Sequence, residues 1–329
     1  MSGRDTEFLA RWNAEKQEYA RWGNFVVHRV CGLIFKKIDP HQAETFVRIP
    51  ATPRLKDGES LLQKAFYREK GYASPYDEIE DKVGVRFVLL LGSDVRLVGQ
   101  AIEGDTEAWH AIKSRDHEAE IAAKPYEFEY QSVHFVVRSK AGLHHEGQPI
   151  AENLACEVQI RTLLQHAYSE ITHDTLYKPA IQTTPAMKRA AAKSMALIEA
   201  TGDYFDSLND LIAKQVQPLR ELGLRLEGIY SRIVGSAPTA AKSPLNDLVL
   251  DRYGHDVNPD DVENWLNQRV FIGQRIAERS SARASFRLPA ILILYYAAAT
   301  ATHGTPINCP VPEDDLSLIY SDLGLSLNG

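Results

Sequence analysis

The chain of 329 residues predicts a mixed α/β or α+β core with helical additions at both ends. Three observations lead there. A long segment with helical periodicity comes first, β-type runs interleaved with helical ones follow, and only helical periodicity remains after the last β-type run. Composition agrees, since 44% hydrophobic and 25% charged residues describe a folded globular chain and exclude collagen-like, wholly disordered and coiled-coil ones.

From Phe8 to Ile38, apolar residues recur at Phe8, Trp12, Tyr19, Trp22, Val26, Val30 and Leu33, which marks one helical face ended by Asp39-Pro40. Residues Phe46 to Lys56 turn β-like, and Glu59 to Lys70 reads as a helix stopped by Gly71. After the acidic turn Asp77 to Asp81 comes a β-run, Val83 to Leu91, and then a short helix, Asp94 to Ile102. Ser132 to Val137 and Ala155 to Thr162 are further strands, separated by a Gly-containing loop at Gly142 to Gly147 that suits a hairpin. Helix returns from Leu163 to Tyr177. A long helical stretch then runs to Gln215, breaks at Pro218 and resumes from Leu219 to Val234.

Small residues and prolines at Gly235 to Pro244 offer nothing to bury and read as a linker. The expected organisation is a domain over residues 1–234, a linker at 235–244 and a helical C-terminal module over 245–329. Leu288 to Thr302 falls short of the ~20 residues of a spanning helix and reads as a buried one, so no membrane partner is expected.

Lysine and arginine total 37 against 44 aspartate and glutamate, a net charge of -7, so attraction to phosphate must be local and not a property of the whole molecule. Cys31, Cys156 and Cys309 form neither a disulfide framework nor a zinc spacing, and the charged N-terminal segment lacks a signal-peptide core; both point to the cytoplasm.

Against that negative balance, residues 48–70 carry six basic and three acidic side chains. Arg54 and Lys56 precede Ser60, Lys64 and Arg68, whose four-residue spacing sets them on one helical face. Such a face is either a solvated stripe or a polyphosphate site. Glu157, Gln159 and Arg161 alternate with Val158 and Ile160, so carboxylate, amide and guanidinium share one face of a strand, as an ion-pair row or as the wall of a site. Asp81 stands where a turn enters an apolar strand, the place of a capping residue. Together with Glu157 it also meets the magnesium habit of one or two carboxylates plus substrate phosphates. Tyr130, ahead of Ser132 and His134, is placed either to pack in the core or to stack on a base, which is worth about 1–3 kcal/mol.

The order and spacing of these pieces resemble the synthetase domain of the RelA/SpoT family, the (p)ppGpp alarmone synthetases. Arg54-Leu55-Lys56 with Ser60, Lys64 and Arg68 looks like the family's donor-ATP segment. Ile79 to Arg86 resembles its I-x-D-x-x-G-x-R magnesium motif, Tyr130 to His134 its acceptor loop, and Glu157 to Thr162 its E-x-Q-I-R-T strand. Glu170 to His173 with Tyr177-Lys178 is similar to the helix that follows.

The resemblance implies a nucleotidyltransferase-like mixed sheet of about five strands flanked by helices. It implies that Arg54, Lys56, Ser60, Lys64 and Arg68 grip ATP. Asp81 and Glu157 would hold Mg, with Glu157 as second ligand or base. Tyr130, Ser132, His134, Gln159 and Arg161 would receive the acceptor. The implied activity is Mg-dependent transfer of pyrophosphate from ATP to GDP or GTP. The partners are ATP and a guanosine nucleotide, and the scheme admits a homo-oligomer.

Two departures frame a second reading. Glu129 stands where a glycine is expected before Tyr130, and the stretch from Asp116 to Tyr130 is long. With the C-terminal module, these features point to toxic relatives that act on adenosine nucleotides or the tRNA 3′-terminal adenosine, under an antitoxin or regulator acting through that module. A third reading, a catalytically silent nucleotide sensor, leaves the retained Asp81 and Glu157 without a task. The segment before Arg54 is too short for the hydrolase domain that precedes the synthetase in long family members, so the chain is expected to make its product without degrading it.

Overall fold

The computed structural model describes residues 3–38, 43–68, 71–128, 132–175 and 183–327. They divide into two compact units, Met1–Leu208 and Asn209–Gly329.

In the first unit, α1 (Gly3–Phe35) is followed by the short α2 (Ala43–Phe46), β1 (Arg54–Leu55) and α3 (Gly58–Leu62), which widens into a π-helical turn over Gln63–Tyr67. Next come α4 (Pro75–Glu78), β2 (Val83–Leu89), α5 (Gly92–Gly104), β3 (Trp109–Arg115) and α6 (His117–Ala123). β4 (Val133–Ser139) leads through the small hairpin β5 (His144–His145) and β6 (Gln148–Pro149) to β7 (Ala155–Thr162) and α7 (Leu163–Thr175). The sheet runs β1-β2-β7-β4-β3, with β2 and β7 parallel and the other pairs antiparallel. This is the mixed five-stranded α+β arrangement expected.

The alternation of β2 explains the layering. Val83, Val85, Phe87 and Leu89 are buried with Trp22 and Val26 of α1 and Val98 and Ile102 of α5, while Gly84 and Arg86 fall on the opposite face. Gly23 lets α1 approach closely, because a Cβ there would lie 2.5 Å from Pro53 Cβ and 2.9 Å from Val83 Cγ2. Gly23→Ala is therefore expected to destabilise the chain by about 1–3 kcal/mol, read in chemical denaturation, since Pro53 and β1 must move away.

Several elements differ from the sequence expectation. The β-like text from Phe46 yields only the two residues of β1 and an isolated bridge from Ile49 to Val88. β3 and α6 were not foreseen. The helix α8 (Pro185–Val234) passes through Pro218 without a break, because its surface there is exposed and water can satisfy the Lys214 carbonyl that proline leaves unpaired.

The second unit begins inside α8, not at the 235–244 segment. Leu222, Leu226, Ile229, Tyr230 and Val234 are packed in one cluster with the helices that follow, α9 (Pro244–Tyr253), α10 (Pro259–Asn267), α11 (Phe271–Ser280), α12 (Ile291–Thr300) and α13 (Glu313–Asp322). The apolar run at Leu288 to Thr302 is the central α12, with Ile291 to Tyr295 fully enclosed. Gly235, at φ +78°, turns the chain out of α8, so 235–244 is a loop within a unit. A protease nick in that loop should therefore leave one species in native size exclusion that separates only in denaturant. Among the described residues no helix is long and apolar enough to cross a membrane.

Candidate active site

The β1–β2 pairing builds the first half of the site. Arg54 lies opposite Gly84 and Leu55 opposite Val83, and the Lys56 amide donates to the Lys82 carbonyl at 2.9 Å, which lays Lys56 against the turn before β2. There its ammonium donates to Asp81 Oδ2. Lys64, delivered by the π-helical turn, is 2.8 Å from Asp81 Oδ1. Asp57 caps α3 by accepting from the Ser60 amide at 3.2 Å, so the lysine-bearing turn starts at a fixed point. Ser60 is half-buried; Arg54 and Arg68 are exposed at the rim.

The second half is a row on β7. Register sets Glu157 opposite Gly84 of β2 and Val136 of β4, and Gln159 opposite Arg86 and His134. Within the row, Arg161 Nη2 donates to Gln159 Oε1 at 2.7 Å, and Gln159 Nε2 donates to Glu157 Oε2 at 3.2 Å. His134 Nδ1 lies 3.4 Å from Glu157 Oε1. Arg161 is 1% exposed, so its charge is spent within the protein and orients the amide. Gly84 offers no side chain between Asp81 and Glu157.

Electrostatics keep both carboxylates ionised. Burial pushes Asp81 upward, but hydrogen bonds and charge from Lys56 and Lys64 outweigh it and hold the carboxyl below its ordinary value. Burial likewise pushes Glu157 upward, and His134 with Gln159 reverses the sign against the opposing charge of Asp81. That repulsion between two ionised carboxylates is what a divalent cation relieves. No three His, Cys, Asp or Glu side chains gather as a ligand set among the described residues.

Of the residues expected from sequence, Lys56, Lys64 and Asp81 meet in one cluster, and His134, Glu157, Gln159 and Arg161 meet in another on the same sheet. Ser132 does not join the acceptor residues: it is fully buried and its hydroxyl donates to the Ile160 carbonyl at 3.2 Å, a tie between strands. Tyr130 and Glu129 lie outside the described residues, as do Tyr177 and Lys178. The structure adds Arg86, which faces the row and reaches Glu170 of α7 at 3.2 Å, and His166, whose Nδ1 is 3.6 Å from the same carboxylate. Alternation with Gly84 already set Arg86 on this face, whereas nothing in the spacing marked His166. A cavity of about 440 Å³ between α1 and the β1–α3 junction, bordered by Trp12, Lys16 and Gly58, meets this site only at Lys56.

Comparison with known proteins bears on this region. The family model of the region found in RelA and SpoT proteins matches residues 53–182. Among solved structures, a GTP pyrophosphokinase family protein from Streptococcus pneumoniae is 21% identical over 62% of this chain and 96% of its own, with a TM-score of 0.50. Small alarmone synthetase 1 from Bacillus subtilis is 19% identical over 62% of this chain and 98% of its own, with a TM-score of 0.49. No curated protein matches the chain. The matched residues run from just before Arg54 to just beyond α7 and so contain both clusters, and residues 53–182 match the region found in RelA and SpoT proteins.

Proposed function

We propose that the chain is an ATP-dependent pyrophosphokinase that transfers the β,γ-pyrophosphate of ATP to the 3′-hydroxyl of GDP or GTP. The observation that carries this reading is the pair of ionised carboxylates, Asp81 and Glu157, flanking the bare Gly84 while two lysines converge on Asp81. In this reading Lys56 and Lys64 turn from Asp81 to the donor phosphates when ATP enters, with Arg54, Ser60 and Arg68 at the rim. Asp81, freed of its lysines, and Glu157 are the residues that would hold Mg, which supplies positive charge to the phosphoryl oxygens.

Glu157 accepts the proton of the acceptor hydroxyl. The acceptor oxygen bonds to the β-phosphorus, the bond from that phosphorus to the α,β-bridging oxygen breaks, and AMP leaves with the bridging oxygen. Arg161, through Gln159, and His134 hold Glu157 in place, and His134 and Gln159 line the acceptor side. None of these residues belongs to the second unit, which is the candidate regulatory segment.

In the long stretch before the acceptor loop, four carboxylates among the described residues are paired, Asp116 with Lys113, Glu120 with Arg115, Glu127 with Lys124 and Glu118 with Arg96, which supports a guanosine polyphosphate as acceptor. Purified chain, Mg and labelled ATP, offered GDP, GTP, adenosine nucleotides or tRNA in turn, decide the acceptor. Label on GDP or GTP is the expected result. Label on adenosine nucleotides or tRNA would establish the toxic-synthetase reading, and no transfer to any acceptor would leave a nucleotide sensor.

A further inference from the structure

The turn Ile79 to Lys82 carries Asp81, and among the described cations only Arg161 is more enclosed than Lys82, which is 2% exposed. Among the described residues no carboxylate forms an ion pair with its ammonium, and Asp77 and Glu15 act on it only at longer range. The ammonium donates to the Ile79 carbonyl at 2.8 Å and lies over the rings of Tyr76 at 4.8 Å and Tyr19 at 5.2 Å. Burying a lysine without a directly paired carboxylate is costly, and an apolar side chain of like volume would fill the same space without that cost. The hydrogen bond spans three residues and closes the turn on itself, with Asp81 enclosed in the loop.

Outside ties complete the turn: Arg138 Nη2 donates to Glu80 Oε1 at 2.7 Å, and the Lys56 amide donates to the Lys82 carbonyl. Tyr76 is held in turn by its hydroxyl bond to Glu15 of α1 at 2.8 Å, so the aromatic seat of Lys82 is fixed by elements outside the sheet.

We infer that Lys82 is a positioning residue, whose buried ammonium clamps the 79–82 turn and so fixes where the Asp81 carboxylate stands between Lys56 and Lys64. This rests on the pyrophosphokinase reading for its kinetic consequence, but not for its structural one.

The test is Lys82→Met in the full chain, with Lys82→Gln, which keeps a shorter donor, as a second variant should the first fail to fold. Three readouts are taken: the thermal midpoint, hydrogen exchange of the Glu80 and Asp81 amides against those of β2, and steady-state kinetics. Positioning predicts an unchanged or higher midpoint, exchange faster by about tenfold confined to the turn, and kcat lower by about 10–100-fold with the KM for ATP moved by less than about threefold. Lys82→Gln should fall between Lys82→Met and wild type on both exchange and kcat.

A merely structural lysine predicts a lower midpoint and exchange raised throughout β2, which would overturn the inference. So would unchanged exchange in the turn, or faster exchange with full turnover. If the wild-type chain transfers no pyrophosphate, the pyrophosphokinase reading fails by itself. The clamp is then judged on exchange alone, where Lys82→Met must speed the Glu80 and Asp81 amides and leave those of β2 as in wild type.

Discussion

Asp81→Asn and Glu157→Gln are each expected to cut pyrophosphate transfer by at least about a hundredfold while the protein remains folded. Each change keeps volume and removes one negative charge, so packing is not the cause. For Asp81 the loss is of the group on which Lys56 and Lys64 converge, and both lysines stay cationic without their carboxylate. For Glu157 the loss is of the base, and the amide also competes with Gln159 for the same donors and acceptors. Turnover measured under saturating ATP and acceptor, with circular dichroism as the fold control, checks both. Near-wild-type turnover in either variant would remove that residue from the mechanism.

Lys64→Met carries the second large effect, on affinity and on pH together. Losing one charge-assisted contact to phosphate should lower kcat/KM for ATP by about 10–100-fold. The pH profile separates this from simple weakening. Asp81 is held below its ordinary value because two lysines outweigh burial. With Lys64 gone burial gains, the Asp81 carboxyl rises, and the ionised form that activity needs is lost at a higher pH. The acid limb of kcat/KM should therefore move toward neutrality in Lys64→Met and stay in place in Arg68→Met, since Arg68 lies at the exposed rim.

The face of β7 was legible in the sequence because alternation alone separates Glu157, Gln159 and Arg161 from Val158 and Ile160, and register then brings Gly84, Arg86 and His134 beside them. α1 was legible for the same kind of reason: its buried face follows the helical period from Phe8 to Val30. β3 was not, since it is an edge strand with both faces largely exposed, and Trp109-His110-Ala111-Ile112-Lys113 shows no alternation to read. The burial of Ser132 is not legible, because strand parity assigns a side without revealing that a hydroxyl donates to a carbonyl of the next strand. The boundary between the units was hidden because α8 looks uniform from within, and only the packing of Leu222 to Val234 with later helices divides it. The clamp of Lys82 is invisible to any periodicity, since it depends on one tyrosine of the preceding short helix and one of α1.

Gly84 separates two demands that usually coincide in a strand. A methyl group added there would meet its nearest neighbour, the Glu157 carbonyl oxygen, at 3.7 Å, an ordinary contact, so folding tolerates more than glycine at this position. On the proposed reading, the volume such a side chain would occupy is the volume a phosphate chain needs beside Asp81 and Glu157. On that reading Gly84→Ala narrows the space for the ligand while the scaffold beneath keeps its shape.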